Sequence, residues 1–138
     1  MAKIIIFGLL DCASLAHFYL KHDSEHEVAA FTVTQEYLPE EKTFEGLPIV
    51  AFEEIETACS PSEFGFFAPM AHRKMNRLRE SIYTQAKNKG YQLISYVSSK
   101  ATVFPGAKIG DNCVILEDNT IQPYTAIGSN VVLWSGNH

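Results

Sequence analysis

The stretch VSSKATVFPGAKIGDNCVILEDNTIQPYTAIGSNVVLWSGNH, Val97 to His138, decides the fold. Every sixth residue in it is aliphatic: Val97, Val103, Ile109, Ile115, Ile121, Ile127 and Leu133. Four places after each comes a small or compact residue: Ala101, Ala107, Cys113, Asn119, Thr125, Val131 and Asn137. Gly110 and Gly128 directly follow two of the aliphatic positions. Strands alternate every two residues and helices repeat every three to four. A period of six, held through seven hexads without a slip, is neither. It matches a parallel β-helix, in which each hexad forms one side of a triangular prism. The aliphatic residue fills the axis and the small residue turns the corner. Three hexads make one coil, so the stretch holds a little over two coils. A sandwich of short strands is the competing reading. It needs hairpin turns and strict alternation, and neither is clear here. On either reading the aliphatic residues are core and carry no chemistry.

Upstream of the repeats the pattern changes. Lys3 to Phe7 (KIIIF) is a continuous apolar, β-branched run, as in a strand buried on both faces. Gly8 ends it, and Asp11 can cap a following helix with Ala13, Leu15, Ala16, Phe18, Tyr19 and Leu20 as its apolar positions. Glu27 to Val33 reads as the next strand, Thr34 to Thr43 as a polar, acidic connection, Gly46 to Val50 as a short strand. Phe52 to Ala58 reads as a short acidic helix and Glu63 to Ala68 as a fourth strand. Arg73 to Asn88 follows as a helix with Met75, Leu78, Ile82 and Ala86 on one face. Tyr91 to Tyr96 is a fifth strand leading into the repeats. Alternating strands and helices predict a parallel sheet with right-handed crossovers. The chain therefore divides into an α/β domain over residues 1–95 and the start of a β-helix over residues 96–138.

Bulk properties exclude several function classes. The chain has 138 residues, 46% hydrophobic and 20% charged, enough for one ordinary domain. Its net charge is −5 with no basic run, which argues against nucleic-acid binding through phosphate neutralisation. The longest apolar run, Ile4 to Leu10, is broken by Gly8 and is too short to span a bilayer. Met1-Ala-Lys leads into it without a signal-peptide pattern, so a cytoplasmic protein with no membrane partner is expected. Cys12, Cys59 and Cys113 are odd in number and widely spaced, which gives no metal or disulfide framework. Cys113 fits a corner of the repeat as a small buried residue.

The first chemical motif is Gly8-Leu9-Leu10-Asp11-Cys12-Ala13-Ser14. A strand, a tight turn and a helix start present backbone N–H groups to an anion. Nucleotide-binding folds use that turn, at the carboxyl edge of the sheet. Gly8, Leu9, Leu10 and Asp11 are therefore candidate substrate-binding residues, with Val33 and Thr34 at the end of the next strand. A G-x-G-x-x-G dinucleotide fingerprint needs three glycines, and only Gly8 is present. Leu10 stands where a second glycine would let a pyrophosphate come close. Asp11 would repel a phosphate unless it points away, or instead caps the helix or binds a base or hydroxyl. A plain structural βα turn is the alternative. His72 precedes the third helix near the same edge, and Asn76 and Arg79 on that helix could reach a nucleotide. A solvated helix face accounts for Arg73, Lys74, Arg77 and Arg79 nearly as well.

The whole chain resembles the bacterial sugar O- or N-acyltransferases of the sialic acid O-acetyltransferase and bacillosamine N-acetyltransferase type. The resemblance rests on the opening KIIIFG, on Phe44-Glu-Gly-Leu-Pro-Ile-Val50, on Lys89-Gly-Tyr91, on the Ile109-Gly and Ile127-Gly hexads, and on the closing Val132-Leu-Trp-Ser-Gly-Asn-His138. It implies a small Rossmann-like parallel-sheet domain followed by a left-handed β-helix of hexapeptide repeats, here partial. It implies a homotrimer, with acetyl-CoA or another acyl-CoA as co-substrate in the groove between neighbouring β-helices. No metal is implied. A nucleotide-linked sugar would be held partly by the N-terminal domain and acylated on an amino or hydroxyl group, in bacterial surface-glycan biosynthesis. The family's turn after the first strand is usually richer in glycine than this one. Its β-helix also has several more coils, and its catalytic histidine aligns a few residues beyond His138. An incomplete version with little activity of its own is expected on that account.

Acyl transfer from a thioester needs the acceptor's proton removed as it attacks, and a neutral histidine suits that role. The thioester oxygen needs a hydrogen-bond donor, often a backbone N–H. His138 is the histidine of the repeat region and so the candidate base, with a frayed terminal residue as the competing reading. His17, His22 and His26, in and just after the first helix, read as surface residues. A non-catalytic nucleotide-sugar-binding or assembly module is the runner-up function. An NAD-dependent oxidoreductase is disfavoured by the missing glycines and by the lack of a Tyr/Lys or Cys constellation.

Overall fold

The structure, a computed structural model, describes residues 3–69 and 76–135. The chain falls into two compact units, Met1–Leu93 and Ile94–His138.

The first unit is built on a six-stranded sheet. Its strands are β1 (Lys3–Phe7), β2 (Glu27–Val33), β3 (Thr43–Phe44), β4 (Leu47–Ala51), β5 (Phe64–Phe67) and β6 (Gln92–Leu93). Three helices join them: α1 (Asp11–Asp23), α2 (Ile55–Ala58) and α3 (Asn76–Asn88). The strand order is β3-β4-β2-β1-β5-β6, and every pair is parallel except β3 with β4. β1 lies at the centre, which is why its side chains form an unbroken apolar run: Ile4, Ile5 and Ile6 are fully buried. Ile5, Phe7, Phe52, Ile55, Phe66, Ile82, Ala86 and Tyr91 belong to one core cluster. The Phe52 ring meets Phe7 edge-on at 5.6 Å and Phe66 at 5.7 Å. Each large side chain buried this way is worth about 1.5–3 kcal/mol of transfer free energy. The Tyr91 hydroxyl donates to the Cys59 carbonyl, so the buried phenol is satisfied. Lys89 Nζ, 2.9 Å from Glu56 Oε1, ties the end of α3 to α2.

Three features of this unit depart from the sequence reading. The strand over Gly46 to Val50 is one arm of a hairpin whose other arm is β3. Glu45 (φ 53°) and Gly46 (φ 77°) both adopt the left-handed conformation, as a two-residue hairpin loop requires. The inward face of α3 is also turned by one residue. Ile82 and Ala86 are buried as expected, but Arg79 is buried at 4% exposure and Leu78 is 40% exposed. Positions 78 and 79 both stand at helical spacing from Ile82, so periodicity alone does not choose between them. Met75 lies outside the described residues. Finally, the run Tyr91 to Tyr96 is two strands, β6 in the sheet and β7 (Tyr96–Val97) in the second unit.

The second unit is a partial parallel β-helix. Its strands after β7 are β8 (Thr102–Val103), β9 (Lys108–Ile109), β10 (Val114–Ile115), β11 (Thr120–Ile121), β12 (Ala126–Ile127) and β13 (Val132–Leu133). They form three parallel ladders, β7-β10-β13, β8-β11 and β9-β12. Val97 pairs Ile115 and Ile115 pairs Leu133, Val103 pairs Ile121, and Ile109 pairs Ile127. Every partner is thus three hexads along the chain. Side chains repeat the same step. Asn112 Nδ2 donates to Asn130 Oδ1 at 2.7 Å, Ser129 Oγ to Asp111 Oδ1 at 2.6 Å, and Ser135 Oγ to Glu117 Oε1 at 2.7 Å.

The aliphatic residues are not equally buried. Ile115 and Ile121 are buried, while Val97, Ile109, Ile127 and Leu133 are half-buried. Val103 departs from the expected inward set, at 38% exposure. Ladder pairing does not account for this by itself, since Ile121, whose strand β11 also pairs on one side only, is buried. The corners are also built differently from the reading above. The left-handed residues are Gly106, Asn112, Asp118, Tyr124 and Asn130, again every six residues. Each stands one place before the small residue, so it turns the corner and the small residue follows just inside, as buried Cys113 and Asn119 show. Glycine, asparagine and aspartate adopt this conformation at little cost; Tyr124 adopts it with strain.

The two hexad glycines are not equivalent. A Cβ on Gly110 would lie 2.8 Å from the Gly128 carbonyl carbon and the Ser129 nitrogen, so two coils pass there backbone to backbone. A Cβ on Gly128 would meet nothing within 4 Å.

Candidate functional site

The carboxyl edge of the six-stranded sheet gathers the candidate residues of the first unit. β1 ends at Phe7, level with Thr32 of β2, and Val33 of β2 is level with Ala51 of β4. The segments after these strands therefore emerge side by side, about 5 Å apart from one strand to the next.

Gly8 leaves β1 with φ 115°, a conformation that favours glycine. Its N–H donates to the Thr32 carbonyl at 2.9 Å, so it prolongs the β1–β2 ladder and is not offered to a ligand. Leu10 is the helix N-cap, and its carbonyl accepts from the N–H groups of Ala13 (2.9 Å) and Ser14 (3.1 Å). No side chain caps α1: Asp11 is its first helical residue, not the cap. There its charge complements the positive end of the helix. The start of a helix leaves the amides of Asp11 and Cys12 without an intrahelical acceptor, and these are the N–H groups available to an anion. Leu9 is half-buried, while Leu10 is 67% exposed.

At the end of β2, the Val33 side chain is buried in the core, so only its backbone faces the edge. Thr34 is half-buried, and its carbonyl accepts from the Tyr37 N–H at 2.9 Å, closing a short 3-10 turn over Gln35–Tyr37. That turn is pinned from the 3-10 turn after β4: the Gln35 N–H donates to Glu53 Oε1 at 2.9 Å and Oε2 at 3.2 Å. Tyr37 is 70% exposed. Neither Tyr37 nor Glu53 belongs to a recognisable sequence motif. The available signal was that Tyr37 is the one aromatic in the polar connection Thr34 to Thr43.

The remaining candidates divide. α3 starts at Asn76, whose side chain, like His72, Arg73 and Lys74, lies outside the described residues. Arg79 is buried, which removes the solvated-face reading for it; Arg77 is exposed. His138 also lies outside the described residues. His17 is half-buried in α1, edge-on to Phe31 at 5.6 Å, and is not the plain surface residue expected. Burial pushes its pKa below the ordinary value, against the opposing charge of Glu45. Glu45 in turn accepts from Ser14 Oγ at 2.7 Å. Among the described residues no group of three His, Cys, Asp or Glu could hold a metal, and no helix is long and apolar enough to cross a membrane.

No family model matches the chain, and no curated protein does. Solved structures do. A variant of perosamine N-acetyltransferase from Caulobacter crescentus, in complex with CoA and GDP-perosamine, matches 99% of this chain with a TM-score of 0.79 at 19% identity. PerB from the same organism, with the same two ligands, matches 99% with a TM-score of 0.76 at 19% identity. The acetyltransferase domain of PglB from Neisseria gonorrhoeae, with acetyl coenzyme A, matches 99% with a TM-score of 0.73 at 18% identity. The chain spans 61%, 61% and 64% of those three chains, about three fifths of their length. The matches cover residues of both units, and the chain shares the fold of these acetyltransferases.

Proposed function

We propose that the protein acts in acyl-CoA-dependent transfer of an acetyl or other acyl group to an amino or hydroxyl group of a nucleotide-linked sugar. The observation that carries this reading is the match over 99% of the chain to enzymes solved with CoA and GDP-perosamine. The sheet edge supports it independently: helix amides and an exposed turn stand where open α/β sheets bind nucleotides.

In this reading the first unit holds the nucleotide. The amides of Asp11 and Cys12 face its phosphates, with Gly8, Leu9, Leu10 and the Val33-Thr34 backbone lining the approach. His72 and Asn76, at and just before the start of α3, complete the candidate set. The β-helix, wound left-handed as the resemblance implies, supplies the wall of a groove for acyl-CoA against a neighbouring copy in a homotrimer. A cytoplasmic location fits a reaction that consumes acyl-CoA and a nucleotide-sugar. A histidine imidazole takes the acceptor's proton as nitrogen or oxygen attacks the thioester carbonyl, and the thiol leaves. A backbone N–H at the groove holds the developing oxyanion. His138 is the candidate base within this sequence.

The test is thiol release from acetyl-CoA with a panel of nucleotide-linked amino sugars, using protein from the whole reading frame. Turnover with at least one acceptor is expected, from a species that sediments as a trimer. Turnover lost in His138→Ala would make His138 the base; turnover that survives it puts the base elsewhere. No thiol release with any acceptor would contradict the enzyme reading and favour a binding module.

A further inference from the structure

We infer that Glu53 is a positioning residue for the ligand edge: its carboxylate caps the turn after β2 from outside and so holds the Val33-Thr34 strand end in its binding geometry. This rests on the proposed function, which places a ligand at that edge. It adds a residue that works on the ligand through the backbone it holds.

The turn over Gln35–Tyr37 has Thr34 at its N-cap, yet the Thr34 hydroxyl makes no capping bond. The first amide of such a turn has no acceptor within it. Glu53, 18 residues further along the chain, supplies one with both carboxylate oxygens, at 2.9 and 3.2 Å from the Gln35 nitrogen. An ionised acceptor makes this bond stronger than a neutral cap would be.

The bond also continues the sheet. The parallel ladder between β2 and β4 pairs Thr32 with Val50 and ends at Val33 with Ala51. Gln35 and Glu53 stand two residues beyond that last pair, in the same register. Just before the ladder ends, the buried Thr32 Oγ1 donates to the Val50 carbonyl at 2.7 Å. The strand end is thus tied to β4 by a side chain on either side of Val33. Glu53 itself is held in place by its neighbour, since Phe52 is 1% exposed and packs against Phe7 and Phe66. A segment ordered in advance loses less entropy when a ligand binds to it.

Charge makes the role separable from plain electrostatics. The segments leaving β1, β2 and β4 already expose Asp11, Glu36 and Glu54. A further carboxylate there repels an anionic ligand, so its removal by itself would tighten binding. Loss of the clamp would weaken binding. The two effects have opposite signs.

The experiment is calorimetric titration of the whole chain with UDP and with GDP, for the wild type, Glu53→Ala, Glu53→Gln and Glu54→Ala, each beside its melting curve. All should fold, since both side chains are exposed. Glu53→Ala is expected to weaken both nucleotides by about three- to tenfold, because the released turn must be ordered again on binding. Glu53→Gln keeps an acceptor oxygen and should stay within about twofold of the wild type. Glu54→Ala removes the same charge one residue away, from a side chain that makes no capping bond, and should bind as tightly as the wild type or tighter. Unchanged or tighter binding in Glu53→Ala overturns the inference and leaves the proposed function standing. So does a lower melting temperature with unchanged affinity, the result of a merely structural tie. Equal weakening in Glu53→Gln or in Glu54→Ala also overturns it, because it assigns the effect to charge. A wild type that binds neither nucleotide overturns the proposed function and this inference together.

Discussion

The sheet unit and the β-helix unit bury their apolar residues in different ways. In the sheet, Phe7, Phe52, Phe66 and Ile82 come from β1, the turn after β4, β5 and α3, and they close on one another from all sides. In the β-helix each coil touches only the coils next to it. Ile115, with a ladder partner on both sides, is fully buried; Val103, at an equivalent place in its hexad, is 38% exposed. The lesson is that sequence position alone grades a residue poorly in a stack. Equivalent positions of the repeat are unequally buried, and the number of ladder partners alone does not set the difference, since Ile121 has one partner and is buried like Ile115.

The sharpest way to break this comparison is a charge. Ile115→Asp leaves an uncompensated carboxylate in the axis and should destabilise the β-helix by roughly 3–5 kcal/mol. Val103→Asp should cost less than about 1 kcal/mol, because its side chain already reaches water. Hydrogen exchange at the ladder amides of Ser98 and Leu116 reads the difference: protection lost in the first variant and kept in the second. Equal loss in both would mean that burial is uniform along the stack.

The glycines give the next largest contrast. Gly110→Ala must push two backbones apart and should cost about 1–3 kcal/mol in denaturant unfolding. Gly128→Ala has open space and should stay within about 0.5 kcal/mol of the wild type. A reversed order would show that the close approach lies at the other coil.

Tyr124 offers a gain. It turns a corner at φ 62° while the residue is 89% exposed, with its ring beside Gly106. Tyr124→Asn keeps the corner with a residue suited to it and should stabilise the β-helix by about 1 kcal/mol. A lower melting temperature for Tyr124→Asn would mean that the ring packing outweighs the backbone strain.

How much of this was legible in sequence also differs between the units. The period of six was, because a quasi-one-dimensional fold repeats its core position at a fixed step. The corner was misplaced by one residue, although Gly106, Asn112, Asp118 and Asn130 repeat at the same step; Tyr124 breaks the residue-type pattern that would have exposed it. In the sheet unit, KIIIF announced the central strand. The face of α3 did not follow, since Leu78 and Arg79 stand equally well at helical spacing and only tertiary packing selects Arg79. The turn after β1 was recognised, but its details were not. Helix capping by Asp11 and an available Gly8 amide both depend on where the β1–β2 ladder ends, which is a non-local fact.

The smallest effect concerns pH and belongs to the sheet unit alone. Burial lowers the pKa of His17 below its ordinary 6.5. The unfolded chain therefore binds a proton more readily, and its stabilising contribution is complete above about pH 6.5. It should decline as pH falls from there towards the folded-state pKa and then level off. His17→Gln should flatten that segment of a melting-temperature profile between about pH 7.5 and 5. An unchanged slope would assign the dependence to other groups.

On the proposed function the two units divide the labour, with the nucleotide end of the substrate held at the sheet edge and not on the β-helix. Amide chemical-shift mapping during titration with UDP- and GDP-linked sugars tests it most directly. The predicted result is perturbation of Leu9 to Cys12 and Thr34 to Tyr37, with the ladder amides of residues 96–135 unmoved. Shifts confined to those ladder amides, with the Gly8 to Asp11 turn silent, would contradict it.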